Sequence, residues 1–300
     1  MHKRISLRLP SGYRGDRRVS AFFFQFIISI KLPDFPLLCK VLAFFLFLLY
    51  DIFMTCVSSF PPLMTLKSLT QARFLDRPNR FTVIARIGSG DETAHLHDPG
   101  RLKELLFKGN TLLLRKASPG IKRKTSWDVI AAASGKKWVI INSSLHRALG
   151  INLFSSGYSP LGPLFSLKSE VKTENGRLDF YARTPAGDLW IETKGCTLFV
   201  DNHALFPDAP TARGSRHVQE LISFRQKGFR AALVFFIFSS QASDFAPFTE
   251  RDPLFSDMLY EAAAQGVEIY PLLMDFDGTH IRYIDSVSLV PLEERSKYEI

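Results

Sequence analysis

From residue 80 onward, polar and apolar positions fall into short runs that indicate their own secondary structure. RFTVIARI at 80–87 is rich in β-branched residues and predicts a strand, with a Gly-Ser-Gly turn at 88–90. ETAHLH at 92–97 predicts a second strand, closed by the turn Asp98-Pro99-Gly100. RLKELL at 101–106 suits one or two helical turns, and 111–117, 124–134 and 137–142 read as further strands. Five or so short strands with one small helix, over about eighty residues, suggest a small barrel of OB-like form.

After Asn142 the rhythm changes. Residues 143–154 predict a short helix, and three strands follow at 166–174, 177–184 and 188–195. They are separated at Asn175-Gly176, a two-residue hairpin signal, and at Pro185-Ala186-Gly187. A helix is expected over 214–228, with Ser215 as N-cap and Gly228 just past its end. The continuous apolar run 231–238 predicts a strand buried on both faces. A helix at 254–265 and a strand at 267–276 complete a mixed α/β sheet flanked by helices. The expected division is an OB-like barrel at 64–142, an α/β domain at 143–292 and a tail at 293–300.

Residues 1–63 do not follow this patterning. Six Lys/Arg in the first eighteen residues precede apolar runs at 21–30 and 41–50, with Pro33, Pro36 and charged residues between them. Neither run reaches the roughly 18–20 apolar residues a spanning helix needs. The segment reads as an over-extended start, with Met64 (or Met54) as the native one. A membrane-associated segment and a cleaved or disordered leader are the alternatives. No membrane association is expected of the body.

Charge changes the picture little once it is divided. Of the net +9, residues 1–63 supply +5 from eight Lys/Arg and three Asp/Glu, leaving +4 for the body. That value permits a basic groove without demanding one. The three cysteines, Cys39, Cys56 and Cys196, form no CxxC spacing, which argues against a zinc knuckle or a disulfide framework and suits the cytoplasm.

The candidate chemistry lies on two of the predicted strands. Asp179 sits within RLDF, and thirteen residues later Glu192 and Lys194 sit within WIETKG. Two residues apart on a strand, Glu192 and Lys194 share a face, and a hairpin would bring Asp179 opposite them. Such carboxylates, with the Thr193 carbonyl, supply hard oxygen ligands for Mg²⁺ or Mn²⁺, and the ammonium can hold a water and offset charge at a phosphodiester. Glu170, on the preceding strand, is a candidate extra ligand. The same spacing also arises on solvated strand faces, but Leu178, Phe180, Trp190 and Ile191 mark these strands as buried, where an acid pair must be paired or metal-bound.

LKSEVKTENGRLDF, WIETKGCTL and LFPDAPTARGSRHVQEL, with ARFLDRPNRF and HLHDPGRLKELL upstream, resemble the sugar fermentation stimulation protein family (SfsA), from about residue 64 to about residue 292. The resemblance implies an OB-like N-terminal domain and a C-terminal domain of the PD-(D/E)XK nuclease type. It also implies non-specific DNA binding and a role in regulating sugar (maltose) metabolism. Carried over, Asp179 is the motif's first acid, Glu192 its second and Lys194 its lysine. Thr193 stands where the family usually has valine, and Asp98-Pro99 where Asn-Thr is common.

The second motif places Arg213, Arg216 and His217 near a helix start that favours phosphate, with Asp208 and Glu220 flanking. His217 or Glu220 could complete a metal shell or relay a proton; alternatively Arg213 and Asp208 form a structural ion pair. Arg73, Arg77, Asn79, Arg80, Lys122, Arg123 and Lys124 are candidate DNA contacts on the barrel. His95 and His97 alternate as ligands might, but without a third ligand they read as solvated. Two functions remain open: a Mg²⁺-dependent nuclease, and a DNA-binding regulator on a nuclease scaffold.

Overall fold

The computed structural model describes residues 60–117 and 124–298. The apolar runs at 21–30 and 41–50, and Lys122 and Arg123, lie outside the described residues. A short strand β1 (Met64–Thr65) precedes the barrel strands β2 (Leu69–Asn79), β3 (Thr82–Ile87), β4 (Gly90–His95), β5 (Thr111–Lys116) and β6 (Trp127–Ser134). Alternation drives these together: Val83 and Ala85 on β3, and Leu112 and Leu114 on β5, are fully buried. The strands run in the order β4-β3-β2-β5-β6, and a parallel pairing of Ala94 with Trp127 and His95 with Asp128 closes the ring. This is the expected OB barrel, and β7 (Lys137–Ile140) extends β6 as a hairpin.

Two elements differ from the pattern reading. Strand β2 passes unmarked in sequence because Arg73, Asp76, Arg77 and Pro78 mask the alternation by which Ala72 and Phe74 face the core. Residues 101–106 form turns rather than a helix. Leu102 takes a φ of +50°, and only Leu105 and Leu106 donate back to its carbonyl.

A 3-10 turn at Ser143–Leu145 leads into helix α1 (His146–Phe154). Strands β8 (Ser166–Thr173), β9 (Gly176–Thr184) and β10 (Gly187–Cys196) then form an antiparallel meander. The first hairpin turns through Glu174-Asn175, one residue earlier than expected, with Gly176 at φ +152° opening β9. Strands β11 (Leu198–Val200) and β12 (His203–Phe206) start a small separate sheet. Helix α2 (Ala212–Gln226) follows, then β13 (Arg230–Ile237), β14 (Asp244–Pro247) on the small sheet, helix α3 (Pro253–Ala264), β15 (Glu268–Phe276) and β16 (His280–Ser286). The large sheet has the order β1-β16-β15-β13-β10-β9-β8, parallel only at β10-β13-β15.

Because β1 pairs Met64 with Ile281, the chain around Met64 belongs to this sheet's edge and not to the barrel. Packing also begins ahead of Met64: Phe60 stacks on Tyr158 at 4.4 Å, and the buried Leu63 donates its amide to Ile281. Beyond β16, residues Leu292–Tyr298 form a 3-10 turn, tied by Arg295 to Asp257 of α3.

Helix α2 is capped by Thr211, not Ser215. The Thr211 hydroxyl accepts the Gly214 amide at 3.1 Å, while its own amide donates to Asp252, the N-cap of α3. Its end is as expected, with Gly228 at φ +87°.

Strand β13 shows how the sheet is buried. Ala232, Val234 and Phe236 join one apolar cluster with Phe154, Phe180 and the barrel residues Val83 and Leu114, so barrel and sheet share a core. Leu233, Phe235 and Ile237 join the opposite cluster, beneath α2 and α3. Among the described residues no helix is long and apolar enough to cross a membrane.

Candidate functional site

Strands β9 and β10 pair regularly from Gly187 opposite Thr184 to Ile191 opposite Phe180, and the ladder stops there. Beyond that point side chains replace it. The Asp179 carboxylate accepts the Thr193 amide at 2.8 Å and the Thr193 hydroxyl at 2.5 Å, and the Asp179 amide donates to Glu192 at 3.3 Å. The strands therefore part where the acids sit. Thr193 does more than face away: its hydroxyl fixes Asp179, a bond that valine could not make.

Trp190, Glu192 and Lys194 follow one another on the face of β10 that α2 covers. Phe224 of α2 stacks on Trp190 at 4.2 Å, and one Glu192 oxygen accepts both the Lys194 ammonium and His217 Nδ1. Lys194 Nζ lies 3.4 Å from His217 Nδ1. Glu192 is 2% exposed and His217 4%, so the charge of Glu192 is compensated away from water. Burial works to raise the Glu192 carboxyl, but Lys194 and His217 outweigh it and hold it below the usual range. Asp179 moves the opposite way, raised by burial and then by Glu192.

Asp179, Glu192, Thr193 and Lys194 line a cleft of about 1030 Å³. Its lining carries both signs: Arg80 and Arg101 come from the barrel side and Arg147 and Arg213 from the α/β side, with Asp98, Asp208 and Glu170 beside them. His146, at the start of α1, also lines it; burial, then the Lys194 charge, lowers its imidazole to about 4, so it is neutral near pH 7. Gly195 leaves room for that ring, since a Cβ there would stand 2.6 Å from His146 Cε1.

At the cleft mouth Asp98 of the barrel meets Asp208 of the loop before α2. The Asp208 carboxylate accepts the Leu102 amide at 3.1 Å and the Arg101 amide as well. Gly100 packs so tightly on Asp208 that a Cβ would collide with it. Burial raises both carboxyls, Asp98 to about 6. Asp208 is thus a clasp between loops, and no ion pair joins it to Arg213 among the described residues.

The remaining expected residues divide. Glu170 lines the cleft but is exposed, with φ +55°, and its carboxylate is held by Arg147 at 2.5 Å and Arg177 at 3.6 Å. Among the described residues no hydrogen bond joins it to Asp179 or Glu192. Arg213 lies on the cleft, whereas Arg216 is exposed away from its lining, and Glu220 is buried one turn beyond His217. Arg73 donates to Gly109 O on the barrel's outside, and Lys124 is exposed; neither lines the cleft. His146, Gly195, Arg101 and Arg147 escape sequence reasoning. The glycine beside Lys194 was visible, but its ring partner was not.

A fit to a divalent cation can be judged from the donors themselves. A buried and a half-buried carboxylate of like charge, where the β9–β10 ladder stops, are hard oxygen donors that such an ion would relieve, and Mg²⁺ needs only one or two from protein. Among the described residues no group of three or more His, Cys, Asp or Glu side chains converges as a full metal cage.

An OB barrel sharing its core with a mixed α/β domain, with an acid–acid–lysine cluster where the two meet, defines the class of this protein. Residues 75–141 match the family described as the SfsA N-terminal OB domain, and 145–280 the Sugar fermentation stimulation protein RE domain. The chain is 40% identical to a sugar fermentation stimulation protein homolog of Methanococcoides burtonii over 233 residues, covering 75% of this chain and 94% of that one. It is 37% identical to the homolog of Methanosphaera stadtmanae over 242 residues, covering 78% and 100%. The structure of Pyrococcus furiosus SfsA in complex with Ca²⁺ superposes with a TM-score of 0.71 at 29% identity, covering 77% of this chain and all of that one. The chain belongs to the sugar fermentation stimulation protein family, as the sequence resemblance implied.

Proposed function

We propose that the protein is a divalent-metal-dependent phosphodiesterase acting on nucleic acid, a PD-(D/E)XK-type site on a non-specific DNA-binding scaffold. One observation carries this reading: Asp179, Glu192 and Lys194 meet at the floor of a cleft whose walls bear Arg80, Arg101, Arg147 and Arg213. Acids at the floor suit a cation, and arginines at the rim suit phosphates without reading sequence. The Ca²⁺ in the Pyrococcus furiosus structure supports metal binding by this fold. A bound Mg²⁺ or Mn²⁺ would supply Lewis acidity at the phosphodiester and a more acidic water.

The chain's own residues would do the rest. Asp179, pinned by Thr193, and Glu192, pinned by His217, present their oxygens in fixed directions. Lys194 offsets charge that grows on the phosphoryl oxygens and orients the attacking water. Neutral His146 faces the same space and can accept a hydrogen bond from that water.

A second reading, a DNA-binding regulator of sugar (maltose) metabolism without significant cleavage, draws on the arginines that line the cleft and on Glu192 already being engaged by Lys194 and His217. One assay separates the two. Protein is incubated with labelled DNA and RNA and Mg²⁺ or Mn²⁺, beside Glu192→Ala and Lys194→Ala. Cleavage that both variants abolish is the expected result. Salt-sensitive binding with no cleavage under either metal would support the regulator instead.

A further inference from the structure

Phe81 stands at the turn between β2 and β3 and is 47% exposed. Asn79 fixes its backbone by accepting the Phe81 amide at 2.9 Å, and the Phe81 carbonyl accepts Leu96 N. A lone exposed phenylalanine means little, and Phe107 and Phe165 are more exposed still. What distinguishes Phe81 is the row of rings behind it. The His95 ring stands 6.3 Å from it with its plane inclined by 27°, and His97 meets His95 edge-on at 4.4 Å. His97 is held from two sides, by Asp128 at 3.0 Å on its ring and by the Ser143 hydroxyl at 2.8 Å on its carbonyl.

The row stands beside the cleft, and its chain neighbours reach into it. Arg80, the residue before Phe81, lines it, and so does Asp98, the residue after His97. A phenylalanine ring half open to solvent, next to an exposed arginine that lines the cleft, matches a base stacked beside its own phosphate. Paired bases hide their faces inside a duplex, so stacking on this ring favours unpaired nucleotides.

We infer that the Phe81–His95–His97 row is a stacking platform that takes single-stranded nucleic acid and leads it toward Lys194, so that the substrate of the cleft is an unpaired strand. This rests on the reading of the cleft as a nucleic-acid site and narrows it. Stacking and phosphate contacts do not distinguish deoxyribose from ribose, so DNA and RNA strands are tested side by side.

The test is fluorescence anisotropy with the full chain in EDTA, so that the result does not depend on whether the site cleaves. The probes are labelled DNA and RNA strands of about 20 nucleotides and the matching DNA duplex. Wild type should bind at least one single strand tenfold or more tighter than the duplex. Phe81→Ala should weaken that binding roughly 5- to 100-fold, the range for losing one stacked base, with duplex binding changed less than twofold. Phe81→Trp should keep wild-type affinity and show its indole emission quenched by the strand, while Phe81→Leu should behave as Phe81→Ala. Equal binding of strand and duplex by wild type would overturn the proposal. So would a Phe81→Ala protein, folded by circular dichroism, that binds single strands as wild type does. Absence of cleavage with metal, beside an intact Phe81 effect, would strike only the phosphodiesterase reading.

Discussion

Two pairs of carboxylates serve this cleft, and they are built differently. On its floor Asp179 and Glu192 sit with a lysine and a histidine, and Glu192 is held ionised although almost no water reaches it. At its mouth Arg77 acts on both Asp98 and Asp208, but that guanidinium is turned to the carbonyls of Arg80 and Arg101. There both carboxyls are pushed up, and the amides of Gly100, Arg101 and Leu102 accept the role of partner. On the floor the charge is kept at Glu192, whereas Asp179 is raised by burial and by Glu192, as burial raises the mouth pair. The mouth uses acids as hydrogen-bond acceptors to tie the barrel to the α/β domain.

The largest effect should come from Lys194→Ala. It leaves Glu192 buried with His217 as its remaining side-chain partner, at a cost of about 3 kcal/mol in chemical denaturation, and lowers cleavage by about 100-fold or more. An unchanged unfolding midpoint would erase the distinction between floor and mouth. Gly195→Ala and Gly100→Ala sharpen it. The first drives a Cβ into His146 on the floor and should impair nucleic-acid cleavage; the second drives one into Asp208 and should mainly lower stability. Each costs about 1–3 kcal/mol by overpacking, and comparing activity with melting temperature separates them.

A smaller effect follows from Asp98. Its native carboxyl titrates near 6 against 3.8 for an unperturbed aspartate, so the folded state binds the extra proton and wild type loses stability as pH rises between those values. Asp98→Asn should match wild type below about pH 4 and exceed it by about 1–2 kcal/mol at pH 7 in thermal melts, the figure discounted because Asp98 is partly exposed. Smallest of all is Glu170→Ala. As an exposed partner of Arg147 and Arg177 it should cost under about 1 kcal/mol and leave metal binding unchanged in calorimetric titration.

The sequence made the barrel and the sheet legible where β-branched enrichment or a continuous apolar run stood out, as at β3 and β13. It hid β2, whose core contacts Ala72 and Phe74 are set among arginines and Pro78, and it mistook Leu102 for a helical residue because propensity does not report a left-handed φ. Asp179, Glu192 and Lys194 could be brought together on paper because strand period and hairpin spacing are local rules. Glu170 could not be placed, since its fate depends on Arg147, twenty-three residues away on α1. His146 was illegible for the same reason: only tertiary packing puts α1 against Gly195. The helix cap moved from Ser215 to Thr211 because Asp252, on another helix, fixes the Thr211 amide.

Metal titration probes the floor most directly. Isothermal calorimetry with Mn²⁺ should give saturable binding to the wild-type chain, lost or weakened at least about tenfold in Asp179→Ala and in Glu192→Ala, and retained in Asp208→Ala. Binding that persists undiminished in both floor variants, or that disappears only with Asp208, would contradict the assignment of the floor as the cation's seat.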